Sequence, residues 1–313
     1  MVRVLTIIAA IVVVFLGAMG FLFWQQTRGL DAEAVNQSYL EDADRFVAVE
    51  GLNVRVRDEG PRDAPVILML HGFTYSLESY DALAADLSQD YRVVRYDLRG
   101  HGLTGPDPQK RYAPQQRAEH IGAIMDALEI ETAHVVGNSL GGLAAWRFAA
   151  TEPSAVDGLI LISPGAYPIN GVTEEPAPVP AALEAYLLTV PESGLELSLA
   201  RVYADPSSLS QARKEEIRAM MRREGNGQAF IDALNLFVLP DPDPILATIT
   251  APTLIIWGEE DQVISSSHGE RLLRVVPDAE LVTLPNVGHV AHEEDPEHVA
   301  AEIRQFLSAG SQQ

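Results

Sequence analysis

Gly137-Asn138-Ser139-Leu140-Gly141 lies between two segments of different character. His134-Val135-Val136 before it reads as the end of a buried strand, and Gly142-Leu143-Ala144-Ala145-Trp146-Arg147-Phe148-Ala149 after it reads as a helix. A Gly-x-Ser-x-Gly at a strand-to-helix junction is the pattern of a nucleophile elbow. The turn forces its serine into strained backbone geometry. Side chains two positions before and after would collide with the neighbouring strand and helix, and glycine removes those clashes. The Ser139 hydroxyl is then exposed above the strand ends, with the Leu140 N–H beside it at a helix N-terminus. A glycine-rich packing turn has the same pattern, so the reading depends on what else the chain carries.

A serine hydroxyl is a poor nucleophile at neutral pH. It needs a histidine base, and that base needs a carboxylate to hold its tautomer. On a sheet of this kind the chain order is serine, acid, histidine. Thr253-Leu254-Ile255-Ile256-Trp257-Gly258 reads as a buried strand, followed at its C-terminal end by Glu259, Glu260 and Asp261. Asp261 is the chosen acid and Glu260 its rival. Glu280-Leu281-Val282-Thr283-Leu284 reads as another strand, and the loop Pro285-Asn286-Val287-Gly288-His289 supplies the base, His289.

These motifs carry a resemblance. His71-Gly72-Phe73-Thr74 follows the apolar strand Val66–Leu70, Asp97-Leu98-Arg99-Gly100-His101-Gly102 follows the next strand, and Gly258-Glu259-Glu260-Asp261 and Gly288-His289 with Glu294-Asp295-Pro296 complete the series. In this order they resemble the α/β-hydrolase superfamily from about Phe46 to Leu307. The resemblance implies a mostly parallel central sheet flanked by helices, an inserted helical cap and esterase- or lipase-like serine hydrolysis without a cofactor. It implies that the His71 loop lends the Phe73 N–H to an oxyanion hole shared with Leu140. Epoxide hydrolases and haloalkane dehalogenases of this fold use aspartate at the elbow, so Ser139 excludes both. The C–C bond hydrolases of aromatic ring cleavage share Gly137 to Gly142, but usually carry a Gly-Pro-Gly-type oxyanion loop where this chain has Phe73-Thr74-Tyr75. A hydrolase-fold sensor with little turnover is the alternative from outside enzymology.

The remaining histidines have plainer readings. His71 orients the oxyanion loop, and His101 hydrogen-bonds within its turn. His120 lies on a surface helix face, and His134 sits in a strand. His268, His292 and His298 are solvated; His292 competes with His289 and faces elsewhere if a helical turn begins there.

From Val4 to Trp24 the chain has no charged residue and only Thr6 as a polar side chain. About 20 helical residues at ~1.5 Å each span the roughly 30 Å hydrocarbon core. Arg3 precedes the run and Arg28, Asp31 and Glu33 follow, which favours a single-pass anchor with the N-terminus inside and the catalytic domain exported. The alternative is a signal peptide cleaved after Gly20, giving a secreted or periplasmic protein. The expected organisation is an anchor (or signal peptide) over residues 1–28, a linker or short helix over 29–45, and hydrolase core over 46–164 and 248–308. A helical cap occupies 165–247, and 309–313 form a tail.

The 313 residues suit one α/β domain with an insertion, and the net charge of −22 argues against nucleic acid and against electrostatic docking on anionic lipid. Cysteine is absent, so disulfides and thiolate metal sites are too, and no metal-binding cluster or phosphate loop is evident. A small-molecule ester, and the membrane through the N-terminal helix, are the expected partners, with no obligate protein partner evident. In the cap, Leu183, Tyr186, Phe230, Leu234 and Phe237, with Leu187, Val238 and Leu239, are apolar candidates to line a substrate site. They point to fairly apolar, uncharged acyl esters. The bland reading of each is packing within the cap.

Overall fold

The computed structural model of the protein describes residues 15, 17–21, 27–169 and 171–310. The segment read as an anchor lies mostly outside these residues, and among the described residues no helix is long and apolar enough to cross a membrane. The expected linker contains a helix, α1 (Ala32–Tyr39), capped by the Asp31 carboxylate on the Ala34 N–H.

Strands β1 (Asp44–Val49) and β2 (Leu52–Glu59) form an antiparallel hairpin. Its turn, Glu50-Gly51, takes φ of 51° and 83°, the left-handed pair that a two-residue hairpin loop requires. Then β3 (Val66–Leu70), α2 (Asp81–Leu87), β4 (Arg92–Tyr96), α3 (Pro114–Ala127), β5 (Ala133–Asn138), α4 (Leu140–Thr151) and β6 (Val156–Ile162) alternate along the chain. Helices α5 (Ala181–Thr189), α6 (Glu192–Val202), α7 (Gln211–Arg222), α8 (Asn226–Leu234) and α9 (Asp243–Leu246) separate β6 from β7 (Thr253–Gly258). The chain closes with α10 (Ser267–Val275), β8 (Ala279–Leu284), α11 (Ala291–Glu294) and α12 (Pro296–Gly310).

The strands make one eight-stranded sheet in the order β1-β2-β4-β3-β5-β6-β7-β8, parallel from β4 to β8. Its central strands read as continuous apolar runs because helices cover both faces. Trp146, Phe148 and Ile121 belong to the layer on one face, and Leu83, Val299 and Ile303 to the layer on the other. Parallel strands bring every β-to-α turn to one edge, so the loops after β3, β5, β7 and β8 meet beneath the α5–α9 insertion.

Two sequence expectations about histidines are corrected. His120 is buried, not on a surface face: Glu50 Oε2 at 3.1 Å and the Arg99 guanidinium at 2.8 Å give it polar partners beneath the β1–β2 hairpin. His292 is fully buried, not solvated, because the α11 turn directs it onto Tyr80, with ring centroids 4.2 Å apart. His268 is half-buried against the edge of Tyr167, and His298 is exposed.

Candidate active site

Ser139 ends β5 and precedes α4 with φ 52° and ψ −112°, outside the regions open to most L-residues. Three interactions hold it there: its N–H donates to Ile162 O at 3.1 Å, and its carbonyl accepts from Leu143 N and Gly165 N at 2.9 Å. The flanking glycines are required by approach distance. A Cβ on Gly137 would lie 2.5 Å from Gly141 O, and one on Gly141 would lie 2.2 Å from Leu70 O on β3. A Cβ on Gly72 would meet Asn138 Oδ1 at 2.7 Å, so the loop after β3 can approach the elbow only as glycine.

Asp261 and His289 come together from the loops after β7 and β8. Asp261 Oδ2 accepts from His289 Nδ1 at 2.8 Å. The other carboxylate oxygen accepts the N–H groups of Val263 and Ile264 at 2.8 and 2.9 Å. Burial pushes the Asp261 carboxyl up, but the hydrogen bonds and the His289 charge outweigh it, and the net position is below the ordinary carboxylate range. An ionised Asp261 can only accept, so His289 carries its proton on Nδ1 and presents a basic Nε2. The rival Glu260 is exposed.

His71 is fixed as a neutral orienting group. Its Nε2 accepts the Leu98 N–H at 2.9 Å, so Nδ1–H donates to Gly72 O at 2.8 Å, and burial drives its pKa down to about 4. This bond shapes the loop that presents Phe73. His101 likewise donates to Arg99 O within its own turn, at 3.0 Å.

Two supports escaped the sequence reading. Asn138 Nδ2 donates to Ile162 O and to His289 O, each at 3.0 Å, joining β5 to the histidine loop. Its place directly before the serine was the available signal. Glu294 Oε1 accepts Gly288 N–H at 2.9 Å, and Oε2 accepts Ala204 N–H at 2.7 Å from the insertion. Val202 O accepts His289 N–H at 2.7 Å. Residues 202–204 and the histidine loop are thus laced together, with burial raising the Glu294 pKa.

Two cavities meet at Ser139, Phe73 and Val263. The first, about 470 Å³, is also lined by His289, Asn138, Tyr186, Leu197 and Arg201. The second, about 420 Å³, is also lined by Leu140, Ile169, Val179, Leu183, Leu234 and Phe237. Both fall within the usual range for small-molecule sites. Of the cap candidates, Tyr186 faces the first cavity and Leu183, Leu234 and Phe237 the second. Phe230 does not line either: it is buried behind the His71–Thr74 loop, packed on Phe73 at 5.4 Å and His101 at 4.9 Å between ring centroids. Leu187 and Leu239 are also buried in packing layers. Among the described residues no group of His, Asp and Glu is arranged to hold a metal ion.

The chain is 28% identical over 297 residues to the 2-hydroxy-6-oxo-6-phenylhexa-2,4-dienoate hydrolase of Burkholderia cepacia, covering 85% of this chain and 96% of that enzyme. Among solved structures, a bacterial membrane phospholipase A described as a virulence factor superposes with a TM-score of 0.75 at 26% identity, covering 99% of both chains. A meta-cleavage product hydrolase superposes with a TM-score of 0.75 at 25% identity, covering 85% of this chain and 98% of the other. The family model described as the alpha/beta hydrolase family matches residues 67–303, which span the elbow, the acid loop and the histidine loop, and the chain belongs to that family.

Proposed function

We propose that this hydrolase cleaves carboxylic esters with apolar acyl chains through an acyl-enzyme on Ser139. The observation that carries the reading is His289, hydrogen-bonded to Asp261 behind it, in the wall of a cavity that the strained Ser139 also lines. His289 Nε2 takes the Ser139 proton as Oγ attacks the ester carbonyl. The Phe73 and Leu140 N–H groups hold the oxyanion, and Asp261 stabilises the imidazolium. His289 then gives the proton to the departing alcohol. Water, deprotonated by the same nitrogen, releases the acid and restores Ser139.

The cavities divide this work. His289 borders only the first and Leu140 only the second. The leaving alcohol must lie where it can receive the histidine proton, so the first cavity takes the alcohol. The acyl chain then extends into the second, along Leu183, Leu234 and Phe237. The Val4–Trp24 run holds the enzyme at a membrane, N-terminus inside, with the catalytic domain exported. The membrane phospholipase A that matches over both full lengths supports this placement, and with it lipophilic esters as substrates.

The test is hydrolysis of p-nitrophenyl esters from acetate to palmitate by the full chain in detergent, beside Ser139→Ala. Ser139-dependent turnover with a chain-length optimum is expected. C–C bond hydrolysis is the second reading, favoured by the Burkholderia cepacia relative. Labelling of Ser139 by a fluorophosphonate without turnover of any ester in the series would shift the assignment there.

A further inference from the structure

The first cavity carries a charge that a neutral alcohol does not need. Helix α6 turns one face toward it: Gly194, Leu197, Ser198, Arg201 and Val202, three and four positions apart, all line it. Arg201 is the one lysine or arginine among its lining residues, and no aspartate or glutamate lines it. Arg201 is exposed, and its Nη2 donates to Gln262 O at 3.0 Å. That bond draws the guanidinium from α6 across to the loop after β7, where the neighbouring Val263 lines the same cavity. On the next helix Arg213 meets Glu216 and Glu293, and Arg271 meets Asp241 and Asp243. Among the described residues Arg201 forms no ion pair with a carboxylate, in a chain with 44 acidic residues against 22 lysines and arginines.

One bond to a neutral carbonyl leaves most of the guanidinium hydrogens free, and the exposed position leaves them open to a ligand. The half-buried Ser198 lies three positions earlier on the same face, with about 5–6 Å between the two Cβ atoms. A planar carboxylate turns both its oxygens toward one donor group. A phosphate is tetrahedral, with oxygens aimed in several directions, so it can meet the guanidinium and the Ser198 hydroxyl together.

We propose that Arg201 selects esters whose alcohol carries a phosphate, with Ser198 as a second donor to it. This rests on the assignment of Ser139 as nucleophile and of the first cavity as the alcohol site. The acyl chain stays apolar in the second cavity, so the charge discriminates among alcohols and not among acids.

The experiment measures release of hexanoate from 1-hexanoylglycerol and from 1-hexanoylglycerol 3-phosphate by the full chain in a non-ionic detergent. The two esters differ only in the phosphate. An exposed guanidinium is screened by water, so the phosphate ester should lead by about fivefold to tenfold in kcat/KM at low salt. The lead should shrink in ~0.5 M NaCl. Arg201→Gln removes the charge and keeps a donor for Gln262 O, and should bring the ratio to about one. Arg201→Lys should retain part of the lead, and Arg201→Glu should put the neutral ester ahead. A residue that only ties α6 to the loop after β7 would lower both rates together and leave the ratio unchanged; that result overturns the proposal, as does a wild-type ratio of one. If the variants do not fold, wild-type protein decides by inhibition of p-nitrophenyl butyrate hydrolysis. Glycerol 3-phosphate should then compete about fivefold better than either glycerol or inorganic phosphate, and equal inhibition by the three overturns the proposal. Turnover of neither ester, with Ser139 unlabelled by a fluorophosphonate, would overturn the hydrolase reading itself.

Discussion

Replacing Asp261 by asparagine tests the proposed chemistry with little disturbance to the fold. One oxygen of Asp261 serves the Val263 and Ile264 N–H groups and the other serves His289 Nδ1. Asparagine has one carbonyl and must choose. Turned toward His289, it would set its NH2 against both backbone donors and orphan them, at roughly 1–3 kcal/mol each. Turned toward the backbone, it keeps both bonds and shows its NH2 to His289. The imidazole can then accept at Nδ1 by moving its proton to Nε2, which loses no hydrogen bond, so this arrangement wins. A protonated Nε2 cannot take the Ser139 proton. The expected loss is on the order of 10⁴ in kcat, or about 5.5 kcal/mol of barrier. Release of p-nitrophenol from the butyrate ester measures it, with thermal unfolding followed in parallel and Glu260→Gln as the control for the exposed neighbour. A folded Asp261→Asn protein that loses less than about tenfold would refute the argument. So would an equal loss from Glu260→Gln.

Other outcomes follow from the same geometry. Gly141→Ala drives a Cβ to 2.2 Å from Leu70 O and should cost about 3 kcal/mol, read as a lower urea midpoint. Glu294→Gln keeps an acceptor for only one of Gly288 N–H and Ala204 N–H; stability should fall by about 2 kcal/mol and kcat with it, and unchanged kinetics would show that the lacing does not position His289. Leu183→Trp should shorten the longest acyl chain accepted and leave the ranking of alcohols unchanged, while Leu197→Trp should do the reverse, as the two cavity assignments require. The Asp261 carboxyl is lower in the folded protein than in the unfolded chain, so its stabilisation is complete above the unfolded value, ~3.9, and is lost as pH falls through the folded one. Acid unfolding of Asp261→Asn should therefore depend less steeply on pH below about 4 than that of wild type.

The elements that position the site were legible because local rules govern them. Gly137 and Gly141 are fixed by backbone approach within one turn, and Val66–Leu70 and Thr253–Gly258 are short apolar runs with no helical period. The fates of His120 and His292 were not legible. One side of α3 or α11 looks like another until the partner is known, and here the partners are Glu50, from the hairpin turn, and Tyr80. Phe230 failed for a related reason: an apolar residue on a cap helix serves cavity or core equally well by composition, and only its contact with Phe73 decides. Glu294 and Ala204 lie 90 positions apart, beyond any periodicity argument.

One edge of the insertion is tied to the histidine loop, directly where Val202 O accepts His289 N–H and through Glu294, which accepts both Ala204 N–H and Gly288 N–H. On the proposed chemistry, lifting that edge would pull His289 from Asp261 and disarm the enzyme. Opening that would spare the pair is then left to the margin along Ala177 to Pro180, beside the second cavity. On the same chemistry, the insertion would be a door hung on the base itself.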